Sequence, residues 1–278
     1  MHRKYVDLHV HTTYSDGTFT PAQVVEKAEA AGLSAVGIAD HDSTLGIEEA
    51  VSAAAEKEIE VVPAVELSCT AYELDIHILG YYVDYTDTGL LEMLSRVREE
   101  RFNRAVKMVK KLKGLGVELS MAEVEHLASG GAVGRPHIAE VLVKNGYVKN
   151  FGEAFVRYIG YHSPAYVPKM EMSPREAFDL LKSVDAIPVF AHPGTVGRDE
   201  IIPEFVRQGL EGIEVWHSKH DSSTSTRLAR IAKSYDLIMT GGSDCHGERQ
   251  NGPLLGKVKV PYKILEELKS ARENIVAI

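Results

Sequence analysis

Hydrophobic patterning with a period of two alternates with patterning near 3.6 along most of this 278-residue chain. Strand-like runs occur at 5–10, 34–39, 60–67, 74–83, 187–191, 212–216 and 237–240. Helical patterns fall between or after them at 21–31, 46–57, 173–184, 199–208, 222–235 and 263–272. Thr20 before Pro21 reads as an N-cap with proline in the first turn. Ser173-Pro174 with Glu176 repeats that logic as a capping box. Alternation of this kind predicts a parallel sheet wrapped by helices. Seven strands favour a closed or nearly closed α/β barrel, although an open sheet gives the same alternation.

The rhythm breaks between about Tyr85 and Lys169. A long helical pattern at 89–112 is followed by shorter ones at 120–128, 136–145 and 150–158. The expectation is a barrel domain over 1–84 and 170–278, with a helical insertion at 85–169 between the fourth and fifth strands. Such insertions usually leave a barrel from the loops at strand C-terminal ends, the side that carries active sites.

A net charge of −9 argues against a broad basic footprint for duplex nucleic acid. It leaves room for a phosphate ligand, because bound metal ions reverse the local sign. No apolar run approaches the roughly 18 residues of a membrane span. Met-His-Arg-Lys leads straight into a strand pattern, so no signal peptide is expected. Two cysteines, Cys69 and Cys245, make no disulfide framework and read as packing residues. A cytoplasmic protein with no membrane and no obligate protein partner is the expectation.

Chemistry-bearing residues gather at the strand ends. The first strand delivers His9 and His11, two residues apart and so on one side, with Asp16 in the following loop. The second ends at Asp40-His41-Asp42, the third at Glu66, and the fourth carries His77. The fifth ends at His192-Pro193, the sixth runs into Glu214 and His217, and the seventh ends in Ser243-Asp244-Cys245-His246. A lone histidine at a strand end is ordinarily a surface group. Recurrence on all seven strands predicts one metal-binding pocket instead. The donors are nitrogen and oxygen, which suits Zn²⁺, Mn²⁺ or Fe²⁺.

These motifs resemble the PHP (polymerase and histidinol phosphatase) family of metal-dependent phosphoesterases. The resemblance rests on Asp7-Leu-His9-Val-His11, Ser15-Asp16-Gly17, Ala39-Asp-His41-Asp, Ala64-Val-Glu66-Leu-Ser, His77, Ala191-His192-Pro193 and Gly242-Ser-Asp244-Cys-His246. It implies a distorted seven-stranded (β/α) barrel and three divalent ions. His9, His11, Glu66 and Asp244 would hold the first ion; Glu66, His77 and His192 the second, with Glu66 bridging; Asp16, His41 and His246 the third. Asp16 stands where many family members have histidine. Asp7 and Asp40 would orient ligand histidines from behind. Three divalent ions, less the carboxylates Asp16, Glu66 and Asp244 and one hydroxide, leave about two positive charges to attract a phosphate dianion. Coordination would also lower the pKa of bound water towards neutrality, so that metal-bound hydroxide would be the expected nucleophile at phosphorus. Glu66, Asp244 and His192 are the expected catalytic group.

Gly134-Arg-Pro-His137 opens a helical pattern, which puts Arg135 at a positive helix end suited to phosphate. Family members with this element act on phosphorylated nucleotides, which strengthens the expectation for Arg135. Lys169, where the insertion rejoins the barrel, is a second phosphate contact, and His217 and His220 are expected to line the pocket. Arg198 reads as a cap or salt-bridge partner. The basic residues of the long helix, including Arg96, Arg98, Arg101, Arg104 and Lys107, read mostly as a solvated face, the alternative being a groove for short single-stranded RNA. The resemblance implies hydrolysis of a 3′-phosphate from 3′,5′-bisphosphonucleotides, or stepwise 5′-to-3′ trimming of RNA. The rivals are a histidinol-phosphatase-like activity, an amidohydrolase, and a non-catalytic metal- or nucleic-acid-binding module.

Overall fold

The computed structural model describes residues 4–169, 172–249 and 252–276. The strand-like runs become β1 (Tyr5–Val10), β2 (Leu33–Ile38), β3 (Glu60–Ala71), β4 (Leu74–Tyr81), β5 (Ile187–Phe190), β6 (Gly212–His217) and β7 (Ile238–Gly242). The patterning does not show β8 (Val260–Pro261), which at two residues is too short to display a period. The sheet runs in the order β7-β6-β5-β4-β3-β2-β1-β8. It curls until its ends almost meet. Val10 bridges Cys245 just past β7, the His11 amide donates to the Cys245 carbonyl at 3.0 Å, and the Asp244 amide donates to the His9 carbonyl at 2.9 Å. The result is a barrel-like, nearly closed sheet.

The expectation of a wholly parallel sheet fails at β4, which runs antiparallel to both β3 and β5. The cause is local. Only Tyr72 and Glu73 separate β3 from β4, and both have positive φ, 54° and 60°. Two such residues form a tight hairpin turn, whereas a parallel crossover needs a dozen residues or more.

Helices α1 (Pro21–Ala30) and α2 (Ile47–Ala54) flank the first strands, while α7 (Pro174–Lys182), α9 (Ile202–Gln208), α10 (Ser222–Ser234) and α11 (Tyr262–Val276) serve the later ones. α8 (Pro193–Val196) is a single turn after β5. Thr20 with Gln23, and Ser173 with Glu176, form reciprocal capping boxes. Each cap contributes on the order of 1 kcal/mol. One buried cluster packs the sheet against α1, α2, α7, α9 and α10 through Val24, Ile47, Phe178, Phe205 and Leu228. A second includes Val62, Ala64, Leu79 and Tyr81 with Leu265 and Leu268 of α11. By strand alternation Glu66 shares the face of Val62 and Ala64, and His77 that of Leu79 and Tyr81. The apolar floor and the polar site are therefore successive layers of one face.

Between β4 and β5 lie α3 (Thr88–Gly114), α4 (Met121–Ala128), α5 (Arg135–Lys144) and α6 (Phe151–Ala154), which runs on into a π-helical turn at Phe155–Ile159. A third buried cluster draws only on residues between Phe102 and Val167, so most of this stretch has its own core. Among the described residues, no helix is long and apolar enough to cross a membrane.

Candidate metal centre

Glu66 is the hub of the site. It is buried on β3, and its two oxygens face different partners. Oε2 lies 3.4 Å from Nε2 of both His9 and His11 and 3.0 Å from His41 Nδ1. Oε1 lies 3.0 Å from His77 Nδ1 and 3.0 Å from His192 Nε2. Asp244 Oδ1 is 3.1 Å from His11 Nε2 and 3.7 Å from His9 Nε2. Asp16 Oδ1 is 3.2 Å from His246 Nε2 and 4.0 Å from His41 Nε2. Donor atoms about 3.0–3.4 Å apart have the spacing of ligands around a shared ion with bonds of about 2.0–2.2 Å. The structure thus gathers His9, His11, Asp16, His41, Glu66, His77, His192, Asp244 and His246 in one place.

The donor set fits metal ions on a further ground. Glu66 Oε2 and His41 Nδ1, and Asp16 Oδ1 beside His246, are buried and close to their neighbours but lie outside hydrogen-bond geometry. Each such orphan costs about 1–3 kcal/mol, and coordination removes that cost. Four compact groups of ligand atoms recur here: His11 with Asp16, His41 and His246; His9 with His11 and Asp244; His41 with Glu66 and His77; and His9 with Glu214 and His217.

Titration follows the same geometry. Burial pushes the Glu66 carboxyl up, but His41, His77 and His9 outweigh it and hold it well below the usual range. Asp16 and Asp244 are likewise held low against burial, chiefly by His246. Burial, then His246 and His41, lowers His11 to about 3. Burial lowers His77 to about 4, against the pull of Glu66. These two rings are neutral at pH 7, the form that binds metal. His246 is opposite: Asp16 and Asp244 overcome burial and raise it to about 9.

The supporting residues differ from expectation. Asp7 accepts from the Ser243 and Gly256 amides at 2.8 and 3.0 Å. Asp40 accepts from the Thr12 amide and hydroxyl, at 2.7 and 2.6 Å, and from Ser15. Asp7 fastens loop backbone rather than a histidine ring, a correction to the expected role, whereas Asp40 holds Ser15, whose hydroxyl lies 3.5 Å from His11 Nδ1. The His9 ring is oriented by Glu214, which the strand pattern places near the site without giving it a task. One of its oxygens accepts from His9 Nδ1 at 3.1 Å, and the other accepts from the His192 amide at 2.8 Å. The available signal is its place inside β6, three residues before the histidine at the strand end. Gly242 is favoured for a steric reason, since a Cβ there would lie 2.4 Å from the His9 backbone nitrogen. His192 and Asp244 occupy left-handed backbone, φ 32° and 55°, where chains leave β5 and β7 abruptly. Such conformations cost on the order of 1–3 kcal/mol and concentrate at functional sites.

A cavity of about 340 Å³ lies over the cluster. Asp16, His41, Glu66, His192 and Asp244 of the cluster line it together with the cations Arg101, Arg104, Arg135, Lys169 and Lys219. Arg135 Nη2 meets Asp75 Oδ2 at 3.0 Å, and Lys169 Nζ meets Asp75 Oδ1 at 2.6 Å. Arg101 bonds Asp42 and Ser68, each at 2.6 Å, Arg104 donates to the Val167 carbonyl at 2.7 Å, and Arg98 donates to the Asp42 carbonyl at 3.3 Å. The reading of these α3 arginines as a solvated face is therefore wrong for Arg98, Arg101 and Arg104. Their spacing of three residues aligns them on one helix face, which turns towards the barrel.

Two other expectations are corrected. His217 lies beneath the cluster, with Nε2 3.3 Å from Asp244 Oδ2, and does not line the cavity. His220 does not line it either: one nitrogen faces the Val215 carbonyl at 3.0 Å and the other accepts from the Gly194 amide at 3.2 Å. Backbone groups occupy both nitrogens, so the ring ties a loop. Arg198 pairs with Glu200, and both cysteines are buried and free, as expected.

The PHP-domain model matches residues 7–154, more than half of the chain. A 5′-3′ exoribonuclease of Haemophilus influenzae is 35% identical over 88% of this chain and 91% of its own length. The chain belongs to the PHP family. A 3′,5′-nucleoside bisphosphate phosphatase of Chromobacterium violaceum is 31% identical over 90% of each chain. A solved structure from Bifidobacterium adolescentis, described as that of a metal-dependent phosphoesterase, superposes with a TM-score of 0.89 at 31% identity over 96% of each chain. This PHP protein is accordingly an enzyme of the metal-dependent phosphoesterase class, and divalent metal ions are its cofactors.

Proposed function

We propose that this PHP enzyme cleaves the ester at the 3′ oxygen of a nucleotide that also bears a 5′-phosphate. Its scaffold is read as a distorted seven-stranded barrel with a helical subdomain over 85–169. Three divalent ions, Mn²⁺, Zn²⁺ or Fe²⁺, are assigned to the nine clustered residues. His9, His11, Glu66 and Asp244 would hold the first, Glu66, His77 and His192 the second, and Asp16, His41 and His246 the third. When bound, the ions supply positive charge for the phosphoryl oxygens and acidify water at neutral pH.

The protein's own residues do the rest. Glu66 turns its two oxygens to different histidines of the cluster, so its carboxylate would bridge two ions. Glu214 holds the His9 ring and the His192 backbone, which fixes two donors at once. Glu66, Asp244 and His192 border the cavity where the scissile phosphate would sit. Arg135 and Lys169 take the remote 5′-phosphate and align the ester for displacement. The P–O bond to the 3′ oxygen breaks, a new P–O bond forms to a water oxygen, and the 3′ oxygen leaves with a proton.

One observation carries this reading: carboxylates and histidines of the cluster line the same cavity as a set of arginines and lysines. A substrate with two phosphates on one sugar satisfies both. The same geometry serves a 3′,5′-bisphosphonucleotide or the 5′-terminal nucleotide of a short RNA. The relatives with those two activities support the pairing. The test is to incubate the Mn²⁺-loaded protein with 3′,5′-bisphosphoadenosine and with 5′-phosphorylated oligoribonucleotides. Release of phosphate or of mononucleotides is expected. Release of neither, from protein that retains its metal, overturns the substrate assignment.

A further inference from the structure

The β3–β4 hairpin projects past the sheet and carries residues that face the cavity. Its ladder pairs Ser68 with His77 and Thr70 with Asp75. Asp75 and His77 are two residues apart on β4, so their side chains point the same way, about 7 Å apart along the strand. His77 reaches Glu66 at 3.0 Å. Asp75 reaches two of the cavity's cations, Arg135 and Lys169, one through each oxygen. Nothing in the sequence singles out Asp75.

We infer that Asp75 is a positioning residue that sets the distance between the two phosphate sites. The inference rests on the proposed function, since it assumes that Arg135 and Lys169 hold the remote phosphate. Both cations are long side chains that cost rotamer entropy to order. The Asp75 carboxylate restrains both heads before a ligand arrives. It uses one of Arg135's five donor hydrogens and one of Lys169's three, so most of their capacity remains for a phosphate. It also reduces the local charge. A single phosphate gains less from these cations alone, and a ligand that spans the whole gap is favoured. A strand is stiff, and this one is clamped by the hairpin ladder. Asp75 and His77 therefore keep a fixed offset of one strand step, which ties the cations held by Asp75 to the cluster that His77 joins.

The aromatic neighbours support this division of labour. Arg135 lies 5.6 Å from the Phe155 ring centroid and 5.9 Å from that of Tyr166. Aromatic faces hold the plane of the guanidinium, while Asp75 holds its end.

The experiment compares KM for adenosine 3′,5′-bisphosphate and adenosine 3′-monophosphate in the metal-loaded full chain, for wild type, Asp75→Asn and Asp75→Glu. Wild type should prefer the bisphosphate. Asp75→Asn places an amide nitrogen against cationic donors and should shrink that KM preference about tenfold, with metal content unchanged. Asp75→Glu keeps the charge on a longer arm and should shrink it by less. An unchanged preference in Asp75→Asn overturns the inference and leaves the proposed function standing. Loss of metal together with preference in both variants also overturns it, because Asp75 would then support the whole site. Wild type that hydrolyses neither nucleotide overturns the proposed function itself.

Discussion

Replacing Glu214 with glutamine exchanges one oxygen for an amide nitrogen at almost constant volume. The carboxylate accepts through both oxygens, one from the His9 ring and one from the His192 backbone. Glutamine has one accepting oxygen, so its amide hydrogens must face one of those two donors. The site is fully buried, and water does not relieve the clash. Leaving a buried donor unmatched costs about 1–3 kcal/mol. For a chain of this size that lowers Tm by on the order of 5 °C. The larger effect falls on metal. Residues that orient a ligating histidine typically contribute about 10–100-fold to affinity, and Glu214 acts on two. Glu214→Gln should weaken metal binding roughly 10–100-fold, read by calorimetric titration of the metal-free chain with Mn²⁺. A variant that binds every ion with wild-type affinity refutes the argument that Glu214 orients His9 and His192.

Glu66→Gln should release metal and lose about 100-fold or more in phosphoesterase activity; elemental analysis showing full metal content would contradict the bridging assignment. Gly242→Ala puts a methyl against the His9 backbone at the seam of the barrel. It should cost about 1–3 kcal/mol, visible as a lower denaturation midpoint, and an unchanged midpoint would show that the seam yields freely. His137 is buried beside Gly134, whose amide donates to its Nδ1 at 3.0 Å, and burial lowers its pKa to about 4. An unfolded histidine takes a proton near pH 6.5, whereas the folded one resists until about pH 4. Its contribution is complete above about pH 6.5 and falls as pH drops towards about 4. The stability gap between wild type and His137→Asn should narrow across that window, and a constant gap would refute the burial argument.

The candidate metal centre is largely legible in the sequence, because it is written in strand ends. Alternation bounds β1 correctly, and His9, His11, His192 and Asp244 follow from where strands stop. The antiparallel course of β4 is not legible. Tyr72-Glu73 carries no glycine or asparagine to advertise a two-residue turn, although its positive φ angles make one. The arginine face of α3 is hidden because charge on a helix does not say which way the helix docks. Periodicity offers no partner for Arg101 either: only the fold shows that Asp42 and Ser68 receive its guanidinium. His220 sits at a plausible spacing after β6, yet two backbone groups take its nitrogens. Glu214 is visible but mute, since a carboxylate inside a strand announces burial without naming its partner.

The most direct test is anomalous diffraction from a crystal of the Mn²⁺-loaded chain with a nucleoside 5′-monophosphate bound. The account predicts three metal peaks among the nine clustered residues, two of them in contact with Glu66. It places the nucleotide's phosphate on Arg135 and Lys169, with its 3′ oxygen towards the metals. Peaks away from Glu66, or a 5′-phosphate seated on the metals with Arg135 and Lys169 untouched, would contradict it.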